Sequence, residues 1–82
     1  MMKARAFPIG DIYVPVKRRT TFDPAKVKLL AESILERGQD SPILVREDGE
    51  RFVLVEGLHR LEACRSLGEE TIKGYLVQAR RH

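Results

Sequence analysis

Three residues with the chemistry of a binding site stand shortly after the apolar residues 53–55, and they are Gly57, His59 and Arg60. Where a strand passes into a helix, the first N–H groups of the helix lack partners and lie at the positive end of the helix dipole. Glycine lets the backbone approach a ligand closely, and histidine and arginine add donors at the same point. The pattern therefore predicts an anion site, and a phosphate is the anion that fits it best.

Length and composition indicate one small globular domain. The chain has 82 residues, of which 43% are hydrophobic and 33% are charged, enough for a single core. No apolar run approaches the roughly 20 residues of a membrane helix, and residues 1–8 lack the apolar centre of a secretory signal. We expect a single domain over residues 1–82, flexible at 1–6 and 79–82, located in the cytoplasm and without a membrane contact.

Cysteine and histidine are too few to build a metal centre. The chain has one cysteine, Cys64, and two histidines, so neither an internal disulfide nor a zinc-type cluster is expected. Cys64 lies among Leu61, Ala63 and Leu67 in a predicted helix, where a lone cysteine is usually a small buried apolar residue rather than a nucleophile. We expect no metal held by protein side chains alone.

Basic side chains are concentrated towards the two ends of the chain, although the net charge is only +3. These residues are Lys3, Arg5, Lys17, Arg18, Arg19, Arg80 and Arg81. Such segments can contact the phosphates of DNA or of a nucleotide, or they can form a solvated surface. Both alternatives remain open, because charge alone does not identify a DNA-binding protein.

Hydrophobic periods and turn residues predict an α+β order of elements. They give a strand at 9–14, a basic loop at 17–19, a helix at 24–37, a hairpin of strands 42–46 and 52–55 around a turn at 47–50, a helix at 58–67 and a strand at 71–77. Asp23 is a strong N-cap ahead of Pro24, and Gly38 and Gly68 are typical helix ends. The two hairpin strands are expected to be antiparallel.

Several motifs in this order resemble the ParB/sulfiredoxin superfamily, over about residues 9–78. The motifs are Asp23-Pro24-Ala25-Lys26-Val27, Leu30-Ala31-Glu32-Ser33-Ile34, Pro42-Ile43, Gly57-Leu58-His59-Arg60 and Glu70-Thr71-Ile72. The resemblance implies a single compact α+β domain with a mixed β-sheet and two main helices. It also implies a nucleotide, ATP or another, with or without Mg²⁺, whose phosphates lie at the turn between a strand and a helix.

Carried over residue by residue, the resemblance assigns the phosphate-holding turn to Gly57, Leu58, His59 and Arg60. It places Lys26 and Ser33 at nucleotide-contacting positions of the first main helix. These two residues are seven positions apart, about two helical turns, and so share one stripe of the helix. A basic residue between the first strand and this helix is implied as well, and the spacing leaves Arg18 and Arg19 open as candidates.

The turn departs from the pattern of each family. Leu58 stands where the sulfiredoxin turn has its cysteine, and an aliphatic side chain cannot act as a nucleophile, so reduction of sulfinic acids is not expected. ParB proteins have Gly-Glu-Arg-Arg at this turn, so CTP is not implied by the letters. Their sequence-specific reading of DNA also needs a helix-turn-helix, which residues 1–82 lack.

A free serine kinase of the same superfamily has an acidic residue before the glycine of this turn, and Glu56 is similar to that acid. A carboxylate beside a phosphate can hold Mg²⁺ or take a proton from an attacking hydroxyl. Glu56 is therefore the candidate catalytic residue of a Mg-dependent phosphotransferase.

Each candidate also has a purely structural interpretation. His59 could cap or pack at the helix start, and Arg60 could pair with an acidic side chain. Glu56 could be an exposed charge at a strand end, and Ser33 could be an exposed mid-helix residue. A bound phosphate would account for His59 and Arg60 together.

The leading hypothesis is a bacterial, plasmid or phage ParB-like domain that binds nucleotide phosphates at residues 57–60. The first alternative is a DNA-associated accessory domain that contacts DNA phosphates without reading sequence, through Lys17, Arg18, Arg19, Arg80 and Arg81. The second is the phosphotransferase that uses Glu56. A partner protein or a homodimer remains open in all three cases.

Overall fold

The structure is a computed structural model that describes residues 3–20 and 22–78. Its elements in chain order are β1 (Arg5–Pro8), a 3-10 turn (Ile9–Asp11), β2 (Ile12–Tyr13), α1 (Val16–Arg19), α2 (Pro24–Arg37), β3 (Ile43–Asp48), β4 (Arg51–Glu56), α3 (Leu58–Ser66) and β5 (Thr71–Val77). The predicted α+β fold, with a mixed sheet and two main helices, is confirmed. Within the described ranges, no helix is long and apolar enough to cross a bilayer.

The five strands form one sheet in the order β1-β5-β3-β4-β2. The hairpin of β3 and β4 is antiparallel, as predicted, and β1 is antiparallel to β5. The pairs β3 with β5 and β2 with β4 are parallel, so the sheet is mixed. Helix α3 connects β4 to β5, and its start therefore lies at the end of an internal strand.

The core is built from apolar side chains of all five strands, the 3-10 turn and α3. Its buried members are Phe7, Ile9, Ile12, Val14, Ile43, Val45, Leu54, Leu58, Leu61, Cys64 and Ile72. Helix α2 contributes only partly buried side chains, Ile34 among them, and it packs against α3. The start of α3 is thus anchored in the core, whereas α2 lies at the periphery.

Helix α2 begins and ends where its local signals predict. The Asp23 carboxylate accepts a hydrogen bond from the N–H of Ala25 at 3.0 Å, and Pro24 occupies the first turn. At the other end Gly38 has a φ of 80°, and its N–H donates to the carbonyl of Ile34 at 2.7 Å. These bonds satisfy backbone groups that a helix end otherwise leaves open.

The N-terminal region differs from the prediction in two respects. The predicted strand at 9–14 is wrong, because β1 lies earlier and β2 comprises only Ile12–Tyr13. A 3-10 turn, tied by the Ile9 N–H to the carbonyl of Glu70 at 2.9 Å, carries the chain between them to the opposite edge of the sheet. The basic loop predicted at 17–19 is also wrong, since these residues form most of α1.

Two boundaries are refined by strand pairing. Arg5 and Ala6, expected to be flexible, pair with Gly74 and Lys73 of β5, while residues 1–2 and 79–82 lie outside the described residues. The hairpin turn is shorter than the predicted 47–50, because the strands continue to Asp48 and resume at Arg51. The side chains of these two residues form an ion pair at 3.3 Å across the turn.

Candidate functional site

Helix α3 follows directly on Gly57, at a position that strongly favours glycine. Gly57 has a φ of 112°, a conformation that side-chain-bearing residues rarely adopt. A Cβ at this position would lie 2.5 Å from Cγ2 and 3.0 Å from Cβ of the buried Ile43 on β3. Close packing against β3 therefore fixes the point at which the chain turns from β4 into α3.

The start of α3 offers three backbone donors. The first bond within the helix runs from the N–H of Leu61 to the carbonyl of Gly57 at 2.9 Å. The N–H groups of Leu58, His59 and Arg60 precede it and are not used in the helix, and Gly57 has no side chain to cap them. They lie at the positive end of the helix dipole, which favours an anion.

His59 joins the start of α3 to the start of α2. Its Nε2 accepts a hydrogen bond from the backbone N–H of Asp23 at 3.0 Å. The imidazole also stacks on the ring of Phe22, with centroids 6.1 Å apart and planes 10° from parallel. The sequence left two interpretations of His59 open, packing at the helix start and contact with a phosphate. The ring packs at the helix start through Nε2 and its face, and Nδ1 takes no part in these contacts.

The two main helices start side by side. Asp23 and His59 link their first turns, and further along Ile34 and Gly38 flank the same small cavity as Cys64, so α2 and α3 run in similar directions. Both positive helix ends therefore lie at one end of the molecule. The exposed Lys26 lies within one turn of Asp23 and shares this end.

Ser33 and Glu56 are both exposed, and Ser33 lies far from the two helix starts. Ser33 is roughly 15 Å beyond Asp23 along the axis of α2, at 1.5 Å per residue, so only a ligand that extends along the helix can reach it. Glu56 is the last residue of β4 and directly precedes Gly57, with its side chain in solvent. Arg60 is half-buried in the first turn of α3.

A cavity of about 560 Å³ opens beside the start of α3, a volume typical of small-ligand sites. It lies between β2, α1 and α3, and its lining residues are Ile12, Tyr13, Val14, Arg19, Phe22, Leu58, Glu62 and Arg65. Of the predicted basic candidates, Arg19 faces this cavity and Lys17 is exposed on α1. The side chain of Arg18 lies outside what the structure describes.

Six of the eight lining residues were not predicted as site residues, and two of these six, Ile12 and Val14, belong to the buried core. Glu62 and Arg65 form an ion pair at 3.3 Å, and with Leu58 they follow the i, i+4, i+7 spacing of one helix face, a signal that the sequence does contain. The Arg51 guanidinium lies over the ring of Tyr13, 4.1 Å from its centroid. No local signal marks Tyr13 or Phe22, because the path of the chain brings them to the cavity.

Cys64 is unsuited to nucleophilic chemistry. It is 2% exposed and belongs to the core. Burial raises the pKa of its thiol, the Glu69 carboxylate adds to the rise, and Arg60 opposes it. Across residues 3–20 and 22–78, no three His, Cys, Asp or Glu side chains are grouped to hold a metal.

The family model of the ParB N-terminal domain matches residues 3–82. The chain is similar to the probable chromosome-partitioning protein ParB of Campylobacter jejuni, with 36% identity over 63 residues, which are 77% of this chain and 23% of that protein. The chain thus spans less than a quarter of the length of the curated relatives it matches.

Solved structures share the fold over nearly the whole chain. Sulfiredoxin from Arabidopsis thaliana has a TM-score of 0.83 and 32% identity, covering 94% of this chain and 86% of that one. C-terminally truncated ParB from Caulobacter crescentus in complex with CTP-γ-S has a TM-score of 0.78 and 27% identity, covering 98% and 46%. The same protein bound to the centromeric parS site has a TM-score of 0.75, covering 90% and 39%. By its sequence and its fold, the chain belongs to the ParB N-terminal domain family.

Proposed function

We propose that this chain is the nucleotide-binding domain of a ParB-like partition protein and holds nucleotide phosphates at residues 57–60, without sulfiredoxin chemistry. The observation that carries the proposal is the start of α3. There, a glycine pressed against Ile43 leaves three N–H groups outside the helical bonds. A phosphate accepts from several such donors at once, and the dipoles of α2 and α3 both favour its charge.

The surroundings of the turn suit a nucleotide. Arg19, Lys26 and Arg60 bring positive charge to the same end of the molecule as the free N–H groups. The cavity of about 560 Å³ beside Leu58 has room for the rest of a nucleotide, and its apolar and aromatic walls suit a sugar and base. Leu58 supplies apolar contact and offers no thiol for the reduction of a sulfinic acid.

ATP and CTP are the nucleotides to compare. The resemblance to sulfiredoxin favours ATP, whereas the ParB of C. crescentus was solved with CTP-γ-S. Mg²⁺ would arrive with the nucleotide, because a bound Mg²⁺ usually keeps phosphate and water ligands and needs only one or two carboxylates. The acidic side chains that we propose for it are Glu56, exposed directly before the turn, and Glu62, which lines the cavity.

The test is a titration of isotope-labelled protein with ATP, ADP and CTP, with and without Mg²⁺, followed by amide NMR shifts. We expect the largest shifts at Gly57, His59 and Arg60, with smaller ones at Lys26. A matched pair of variants checks the assignment. Arg60→Gln should weaken binding about 10- to 100-fold, as for one lost hydrogen bond to a charged group, whereas Arg37→Gln at the far end of α2 should not.

Loss of the same size in both variants would mean that the nucleotide binds by overall charge, and the proposal would fall. The same conclusion would follow if none of the nucleotides shifted the amides of residues 57–60.

The second candidate function is contact with DNA phosphates through α1. Lys17 and Arg19 are exposed on this helix, and the ParB of C. crescentus was also solved with its parS site. Non-specific DNA binding should weaken steeply as salt rises and should fall in Lys17→Gln, while nucleotide binding should keep its dependence on Arg60. Arg80 and Arg81 belong to the same hypothesis and lie outside the described residues.

Phosphoryl transfer remains a third candidate, because the exposed Glu56 directly precedes the turn. In that case Glu56 would hold Mg²⁺ or accept the proton of an attacking hydroxyl. Turnover of ATP with free serine or another hydroxyl acceptor should then drop at least about 100-fold in Glu56→Gln. Full turnover in that variant would remove Glu56 from any catalytic role.

A further inference from the structure

The imidazole of His59 is held at one of its two ring nitrogens. Nε2 accepts the backbone N–H of Asp23 at 3.0 Å. In a neutral imidazole only one nitrogen carries a proton, and the nitrogen that accepts is the one without it. The proton of neutral His59 must therefore sit on Nδ1, and the backbone at the start of α2 sets this tautomer.

The donor that sets the tautomer is itself fixed. Asp23 is the N-cap of α2, and its carboxylate accepts from the N–H of Ala25 at 3.0 Å, which holds the backbone of residue 23 in place. The residue before it, Phe22, stacks on the imidazole within 10° of parallel. Phe22 thus fixes the plane of the ring, while Asp23 fixes its proton.

Phe22 also connects this arrangement to the ligand site. It lines the cavity of about 560 Å³ together with Leu58, which is the neighbour of His59 at the start of α3. The ring plane of His59 is therefore set by a residue that a ligand in the cavity would contact.

We propose that Phe22 and the backbone N–H of Asp23 are positioning groups for His59, which they hold with its proton on Nδ1, so that Nδ1–H donates to a ligand phosphate. The inference rests on the proposed function for the identity of the ligand, but the tautomer is a property of the free protein. His59 then contributes a neutral, pre-oriented donor, whereas Arg60 contributes the charge. Pre-orientation matters because a rotating imidazole would present its donor only part of the time.

The tautomer can be measured without any ligand. Protonated and bare imidazole nitrogens have well separated ¹⁵N shifts, so a long-range ¹H–¹⁵N spectrum at about pH 8, where an ordinary imidazole is neutral, identifies the proton on each nitrogen. We expect Nδ1 protonated in the wild type. Phe22→Leu should give a mixture of tautomers, because a ring that Phe22 no longer holds in plane can turn away from the Asp23 N–H. Phe22→Tyr keeps a ring for stacking and should give the wild-type spectrum.

Two substitutions of His59 separate its two contacts. Asn places an amide donor near the position of Nδ1 but does not reach Asp23, whereas Gln reaches as far as Nε2 and places no donor near Nδ1. We expect His59→Gln to weaken ATP or CTP binding about tenfold while the Asp23 amide stays protected from hydrogen exchange. His59→Asn should lose that protection and bind more weakly than wild type, because Asp23 no longer holds its donor, but more tightly than His59→Gln.

The outcomes distinguish the inference from the function on which it rests. A proton found on Nε2 in the free wild-type protein would overturn the positioning role, whatever the nucleotide does. Unchanged affinity in His59→Gln, with residues 57–60 still shifted by nucleotide, would overturn the donor role of Nδ1 and leave the proposed function standing. If the proton is on Nδ1 but no nucleotide shifts the turn, the proposed function fails and the phosphate-donor role fails with it.

Discussion

Replacing Gly57 with alanine tests the packing that defines the candidate site. The new Cβ would lie 2.5 Å from Cγ2 of Ile43, and Ile43 is only 1% exposed, so it has little room to move. The φ of 112° adds backbone strain for any residue with a side chain. We assign about 1–2 kcal/mol to the strain and about 1–3 kcal/mol to overpacking.

The expected loss in the free energy of unfolding is therefore about 2–5 kcal/mol. A domain of this length has a total of about 4–12 kcal/mol, so the substitution should remove a large part of it. Urea denaturation followed by far-UV circular dichroism measures the change in the free energy of unfolding. An unaltered m value would show that the variant and the wild type expose the same surface on unfolding, so that their free energies can be compared.

Gly49→Ala is the matched control, because Gly49 has a φ of 64° in the hairpin turn and nothing within 4 Å of its missing Cβ. It should cost only the strain, about 1–2 kcal/mol. If Gly57→Ala were no less stable than Gly49→Ala, the contact with Ile43 would not constrain the turn. The argument that close packing fixes the start of α3 would then be refuted.

Three further predictions concern other parts of the domain. Asp23→Ala should lower the free energy of unfolding by about 0.5–2 kcal/mol, because the N–H of Ala25 loses its 3.0 Å contact with the carboxylate. Urea denaturation should show that Asp23→Ser, which keeps a capping oxygen, retains most of this stability. Equal losses in the two variants would contradict the capping role. The Gln39 carboxamide accepts the Lys73 N–H at 2.8 Å and donates to the Lys73 carbonyl at 2.9 Å. Gln39→Ala should therefore lower the free energy of unfolding by about 1–2 kcal/mol and speed hydrogen exchange at the Lys73 amide. Unchanged exchange would show that these two bonds do not hold the Lys73 backbone. Burial raises the pKa of the Cys64 thiol above its ordinary value. The stability that this thiol contributes is therefore complete at low pH, and it is lost as the pH rises from the ordinary thiol pKa of about 8.5 towards the folded-state pKa. The decline in the free energy of unfolding should be smaller in Cys64→Ala, and superimposable pH profiles of the two proteins would show that Cys64 does not contribute.

Local signals predicted the long elements well. Asp23 and Pro24 at one end and Gly38 at the other give α2 its observed bounds, because capping acts within one turn of the chain. The apolar run before Gly57 likewise predicts the passage from β4 into α3. These features depend on residues that are neighbours in sequence, so the sequence is enough to place them.

The N-terminal region shows where such reasoning stops. Residues 9–14 have the composition of one strand, yet the chain there bends at Ile9 through a bond to Glu70 and reaches the opposite edge of the sheet. Pairing with β5 and β4 decides the outcome, and those partners are 40 or more positions away in the two registers. Strand propensity is weak compared with pairing and burial, so tertiary contacts override it.

The same division applies to the candidate site. The sequence by itself determined the type of turn at Gly57, the donors at 58–60 and the absence of a thiol at Leu58, because these follow from residue identity and local helix geometry. Only the tertiary structure decided that Nε2 of His59 accepts from Asp23, 36 positions away, and that Phe22, Glu62 and Arg65 border one cavity. A hydrogen bond or a cavity wall requires groups to meet in space within a few ångströms, and that proximity is set by how the whole chain packs.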